Sequence, residues 1–129
     1  MSLRIRTITL DCADPYRMVS FWSQAIGYAE DPLNPNNPED PEGLLVAPDG
    51  SANVLFVRVP EAKRLKNRVH LDLVPPDSSP EARDAAVERL LALGATVIDD
   101  LRRPDRSGWV VLADPEGNEF CLERGVAGG

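Results

Sequence analysis

Apolar and polar positions alternate along seven short stretches, approximately 4–12, 44–47, 53–59, 68–74, 95–101, 108–113 and 119–124, and each predicts a strand. Two intervening segments change to a helical period, with Met18, Phe21, Trp22 and Ala25 on one face and Ala86, Val87, Leu90 and Leu91 on the other helix's face. Asp14-Pro15 and Ser79-Pro80 each pair an N-cap with proline at the first helical position. Gly27 and Gly94 are suited to the left-handed position that ends a helix. Turns follow at Pro48-Asp49-Gly50 and Pro115-Glu116-Gly117. Gly27 to Gly94 and Gly50 to Gly117 are both steps of 67 residues, so one strand–helix–strands plan is repeated. Between the markers of the first half, 31–43 has prolines at 32, 35, 38 and 41 and cannot pair inside a sheet. It reads as an exposed connector, with a lid over a pocket as the alternative.

Strand parity then sorts side chains by face. Arg68, His70 and Asp72 alternate with Val69, Leu71 and Leu73. Glu119, Cys121 and Glu123 oppose Phe120 and Leu122. Thr7, Thr9 and Asp11 oppose Ile8, Leu10 and Cys12, and Val54, Phe56 and Arg58 oppose Leu55, Val57 and Val59. With apolar faces turned to the helices, a curved sheet would gather the second face in a hollow. Trp109 shares its face with Val111 and should line the mouth of that hollow, where an indole can stack on a flat ligand. Arg68 and Glu119 project together, either as an ion pair or with Arg68 receiving a ligand carboxylate. Cys12 and Cys121 fall on opposite faces and should not bridge.

The chain has 129 residues and a formal net charge of −7, a size for one domain and a sign that argues against nucleic acid. No stretch is apolar enough for a membrane span, and two cysteines make no disulfide framework, so a cytoplasmic protein is expected. The final Gly-Val-Ala-Gly-Gly has nothing to pack and should fray.

Several motifs stand together in order: Asp14-Pro15-Tyr16-Arg17 with Phe21-Trp22 and Ile26-Gly27-Tyr28; Val59-Pro60-Glu61; Lys66 through Leu73; and Asp114-Pro115-Glu116-Gly117-Asn118-Glu119-Phe120-Cys121. Over about 4–124 the chain resembles the vicinal oxygen chelate superfamily of glyoxalases, bleomycin-resistance proteins and dioxygenases, in its glyoxalase-like branch. The resemblance implies an α+β fold in which two βαβββ modules, about 4–60 and 66–124, form a curved mixed sheet with helices on its convex side, followed by a tail at 125–129. It also implies a small-molecule ligand and a homodimer.

Metal-dependent members of this family hold a divalent ion with one ligand on each of four strands. Carried across residue by residue, those positions are Thr7, Phe56, His70 and Cys121. Only His70 matches, so no metal or other cofactor is expected; a divalent ion, if held, would use His70 with Cys121 or Glu119. His70, steered by Asp72 or Glu119, is the candidate general acid or base, and Cys121 is a pocket filler or a nucleophile paired with His70. Arg68, Glu119, Thr7, Thr9, Phe56 and Trp109 are the candidate ligand contacts. The function expected is small-molecule binding, with or without lyase- or isomerase-type turnover. The alternatives are a metal-dependent lyase, isomerase or dioxygenase, and a protein that sequesters an antibiotic.

Overall fold

The computed structural model describes residues 2–125. Beyond Gly125 the expected tail lies outside them. The fold is α+β, with β1 (Thr7–Cys12), α1 (Pro15–Ile26), β2 (Glu42–Leu45), β3 (Asn53–Arg58), β4 (Asp72–Leu73), α2 (Pro80–Leu93), β5 (Thr96–Asp100), β6 (Val110–Ala113) and β7 (Glu119–Leu122). These elements form two compact units, divided in the chain between Ala62 and Lys63.

Both helices begin and end where the caps predict. The Asp14 carboxylate accepts the Arg17 N–H, the Ser79 hydroxyl accepts the Ala82 N–H, and Gly27 and Gly94 close the helices at positive φ.

In the first unit β3 is central, parallel to β1 and antiparallel to β2. The register sets Leu10, Phe56 and Gly43 in one row and Thr9, Leu55 and Leu44 in the next. The first row faces α1: a Cβ on Gly43 would stand 2.7 Å from Cγ1 of Val19, so only glycine lets the helix lie this close. Met18, Val19, Phe21 and Trp22 fill the other side of that contact and are buried.

Ala29 and Val46 make an isolated bridge one repeat length before β5. That bridge is all that remains of a strand there, because the prolines that follow cannot extend a ladder.

In the second unit the order is β4-β7-β6-β5, with β4 parallel to β7 and the other pairs antiparallel. Val110, Leu112, Phe120 and Leu122 are buried on one face, while Asp72, Cys121, Val111 and Asp99 form a row on the opposite one. Asp114 clamps the turn before β7, accepting the Glu116 and Asn118 N–H groups and the Asn118 side-chain amide. The Asp-Pro-Glu-Gly-Asn motif is therefore a structural turn.

The strand expected over 68–74 is reduced to Asp72–Leu73. Its ladder bonds are the Cys121 N–H to the Leu71 carbonyl and the Glu123 N–H to the Leu73 carbonyl. Upstream, the Asn67 N–H donates to Oε2 of Glu119 at 3.0 Å and draws the chain off the ladder, and Pro75-Pro76 stop it downstream. Val69, expected on an apolar face, is 74% exposed.

Candidate functional site

His70, Asp72 and Cys121 come together. Asp72 and Cys121 are Cα partners across β4 and β7, so their side chains leave the sheet side by side. Two residues upstream, His70 projects to the same side, with Nδ1 3.3 Å from Oδ1 of Asp72 and 4.0 Å from Sγ of Cys121. One ligand atom from each residue falls within 4.8 Å of the others. The imidazole and the carboxylate are about half exposed, while Cys121 is 8% exposed.

Burial raises the Cys121 thiol above its ordinary range, and the Asp72 carboxylate raises it further by charge and by accepting its proton in a hydrogen bond. A thiol so placed stays protonated at neutral pH and is a poor nucleophile. Alkylation of Cys121 at pH 7 by iodoacetamide is accordingly expected to run slower than that of a free thiol and to accelerate only above the ordinary thiol range. A fast phase at pH 7, lost in Cys121→Ser, would instead establish an activated thiolate.

Glu119 projects to the same face but is committed elsewhere. Its carboxylate accepts the Asn67 N–H and pairs with Nζ of Lys63 at 3.0 Å. Desolvation alone would raise its pKa, yet these two donors hold it below the usual carboxylate range. The expected pairing of Glu119 with Arg68 is therefore replaced by Lys63 and Asn67. Arg68 sits exposed at a bend. Asp72, rather than Glu119, is the carboxylate beside His70.

Trp109, just before β6, is half-buried with the Arg103 guanidinium 5.5 Å from its ring centroid, so a cation already occupies one side of the indole.

In the first unit Thr7 is half-buried and Thr9 exposed on the face away from α1. Phe56 is not on that face. It is fully buried in the row that meets α1, and the pairing sets Leu55 beside Thr9 in its place. The pairing of Phe56 with Leu10 and Gly43 fixes its side chain on the α1-facing side of the strand.

Leu55 and Leu44 belong instead to the wall of a cavity of about 410 Å³, lined also by Asn34, Pro35, Asn36, Asp40 and Glu42. The proline-rich loop forms its other side and is no free connector. Nδ2 of Asn36 donates to the Leu44 carbonyl and Oδ1 accepts the Leu44 N–H, satisfying the outer edge of β2 as a neighbouring strand would.

Two signals were available and unread. Lys63, Arg64, Lys66 and Arg68 form a basic run without a carboxylate, just before His70. Glu30, Asp31, Glu39, Asp40 and Glu42 make the proline-rich segment wholly acidic.

The model of the glyoxalase-like domain family matches residues 7–123. The chain belongs to this glyoxalase-like family. Solved structures with the same fold include a possible glyoxalase from Bacillus cereus (16% identity over 95% of this chain and 99% of that one, TM-score 0.70). A glyoxalase/bleomycin resistance protein/dioxygenase family enzyme from Burkholderia phytofirmans PsJN is similar (23% identity, 93% and 97% covered, TM-score 0.71). So is the fosfomycin resistance protein FosX from Listeria monocytogenes (18% identity, 98% and 94% covered, TM-score 0.71), a mutant of which was solved with Mn(II) and 1S,2S-dihydroxypropylphosphonic acid. No curated protein matches the chain. No helix among the described residues of this glyoxalase-like protein is long and apolar enough to cross a membrane.

Proposed function

We propose that this glyoxalase-like protein binds a small molecule bearing adjacent oxygens against the His70–Asp72–Cys121 face of its second unit, as a cytoplasmic homodimer. The observation that carries the reading is the convergence of an imidazole, a carboxylate and a thiol on one partly open surface, the imidazole held 3.3 Å from the carboxylate.

Asp72 orients the ring through the 3.3 Å contact at Nδ1, so His70 can give or take a proton at a ligand hydroxyl. Cys121, protonated, supplies a weak donor and a close-packed floor. Arg68 and Lys66, both exposed, can meet a carboxylate or phosphonate on the ligand, with Arg68 able to do so in two-pronged fashion. Turnover on such a ligand would be of the lyase or isomerase type, with His70 moving the proton.

A second reading rests on a different feature. The cavity in the first unit, with its leucine wall and the carboxylates of Asp40 and Glu42, suits a cationic molecule held without reaction.

Titration of ¹⁵N-labelled protein with vicinal diols, 2-hydroxy acids and 1S,2S-dihydroxypropylphosphonic acid separates the two. Saturable shifts at Asp72, Cys121 and the His70 ring are expected. Shifts confined to Leu44 and Leu55, appearing only with organic amines, would favour the sequestering reading. Saturation by none of these probes would sink the first.

A further inference from the structure

We infer that the apolar groove of the first unit receives Leu65 and its basic neighbours from a second copy of this chain, so that copies associate knob into groove. The inference deepens the homodimer of the reading above by naming the surfaces that make it, and rests on that reading for the association itself.

Leu65 is 83% exposed at a bend in irregular chain, yet the backbone that carries it is fastened. Nζ of Lys63 donates to the Leu65 carbonyl at 2.6 Å and to Oε1 of Glu119 at 3.0 Å, and Oε2 of the same carboxylate accepts the Asn67 N–H. An apolar side chain held in solvent on a fixed loop is already ordered, so docking it loses little further conformational freedom. Arg64 and Lys66 flank it directly, and no carboxylate lies in the chain between Ala62 and Val69.

The groove has the opposite character. Leu44, Leu55, Pro35 and Pro41 give it apolar walls, and Asp40 and Glu42 add carboxylates. Its volume of about 410 Å³ has room for a leucine side chain with the aliphatic stems of flanking cations. Asn36 holds both the N–H and the carbonyl of Leu44, so this wall is fixed as well. No lysine or arginine occurs between Arg17 and Arg58, so the segments around the groove bring no cation of their own.

Among the described residues, neither Asp40 and Glu42 nor Arg64 and Lys66 form an ion pair within the chain. A formal net charge of −7 makes two copies repel at long range, so association needs a local meeting of opposite charges. Burial of Leu65 against Leu44 and Leu55 then supplies the attraction, while the rim charges fix the register. A two-fold axis would use the contact twice, once in each direction.

The test is the mass of the full-length protein by sedimentation equilibrium over a concentration series. A two-chain species is expected for the wild type. Leu65→Ser, at a position with no packing to lose, Arg64→Glu and Glu42→Lys should each raise the dissociation constant at least about tenfold. Arg64→Glu combined with Glu42→Lys should recover most of that loss, a reversal that a folding defect would not produce. Circular dichroism establishes that each variant is folded. A wild type that stays a single chain at millimolar concentration would overturn the inference together with the homodimer of the reading above. A two-chain species unmoved by all three single variants would overturn the docking alone, leaving that homodimer and the His70 face untouched. Amide shifts at Leu44 and Leu55 produced by organic amines, but absent when the two-chain species is diluted to single chains, would give the groove to a small cation and overturn the docking likewise.

Discussion

Replacing Arg83 by alanine is expected to cost about 3–5 kcal/mol, because it withdraws a buried charge and orphans the groups around it. Arg83 lies on α2 and is 2% exposed. Its Nη1 donates to the carbonyls of Arg106, Ser107 and Gly108 at 3.1, 3.3 and 3.1 Å, and its Nε to Oδ1 of Asp84 at 3.0 Å. Three consecutive carbonyls can point at one group only where the backbone curls around it. The loop does so with Arg106 and Gly108 both at positive φ, and a Cβ at Gly108 would meet the Leu101 carbonyl oxygen at 2.1 Å. This segment leads directly into β6, so the guanidinium ties α2 to the start of a core strand. Urea denaturation of Arg83→Ala and Arg83→Lys checks the claim. Lysine should recover little, since an ammonium cannot present the same planar fork. A loss below about 1 kcal/mol for alanine would show that these carbonyls are satisfied without the guanidinium.

The same network carries a pH signature. Hydrogen bonds from Arg102 hold Asp100 at a pKa of about 2. Asp84 is likewise lowered: desolvation opposes the shift, but the hydrogen bonds from Arg83 and Arg102 outweigh it. A carboxylate whose folded pKa is depressed stabilises the fold above its unfolded value, and that contribution is lost as pH falls toward the folded one. Acid should therefore erode the network between about pH 4 and pH 2.

Phe56→Ala is the second large effect, with about 3–5 kcal/mol lost as expected for a fully buried aromatic. Leu55→Ala, at the half-buried neighbour on the opposite face, should cost less while altering the 410 Å³ cavity. This pair of variants tests the face assignment directly. If Phe56→Ala left stability unchanged and Leu55→Ala unfolded the protein, β3 would have its faces the other way round.

Much of the site was legible because its parts are local. His70 and Asp72 share a face by parity, and Cys121 joins them once the last strand of the repeat is set beside theirs. Glu119 obeys the same parity, yet its partner could not be read. Lys63 and Asn67 reach it from an irregular segment whose path is set by the Glu119 carboxylate itself. Phe56 failed for a related reason: which face of β3 meets α1 is set by its pairing with Leu10 and Gly43, and alternation within the strand does not say which face that is. Arg83 was missed because an arginine on a helix ordinarily reads as solvated, and nothing local signals three carbonyls waiting some 23–25 residues downstream.

By itself the chain determined its caps, helix lengths, glycine turns and the 67-residue repeat, since each depends on residues a few positions apart. The order of the strands, the row that joins Thr9 to Leu55, the burial of Phe56 and Arg83, and the choice of Asp72 over Glu119 beside His70 were decided only in three dimensions. Those outcomes turn on which distant group satisfies a given carbonyl, carboxylate or apolar face, and that competition is settled when the chain packs.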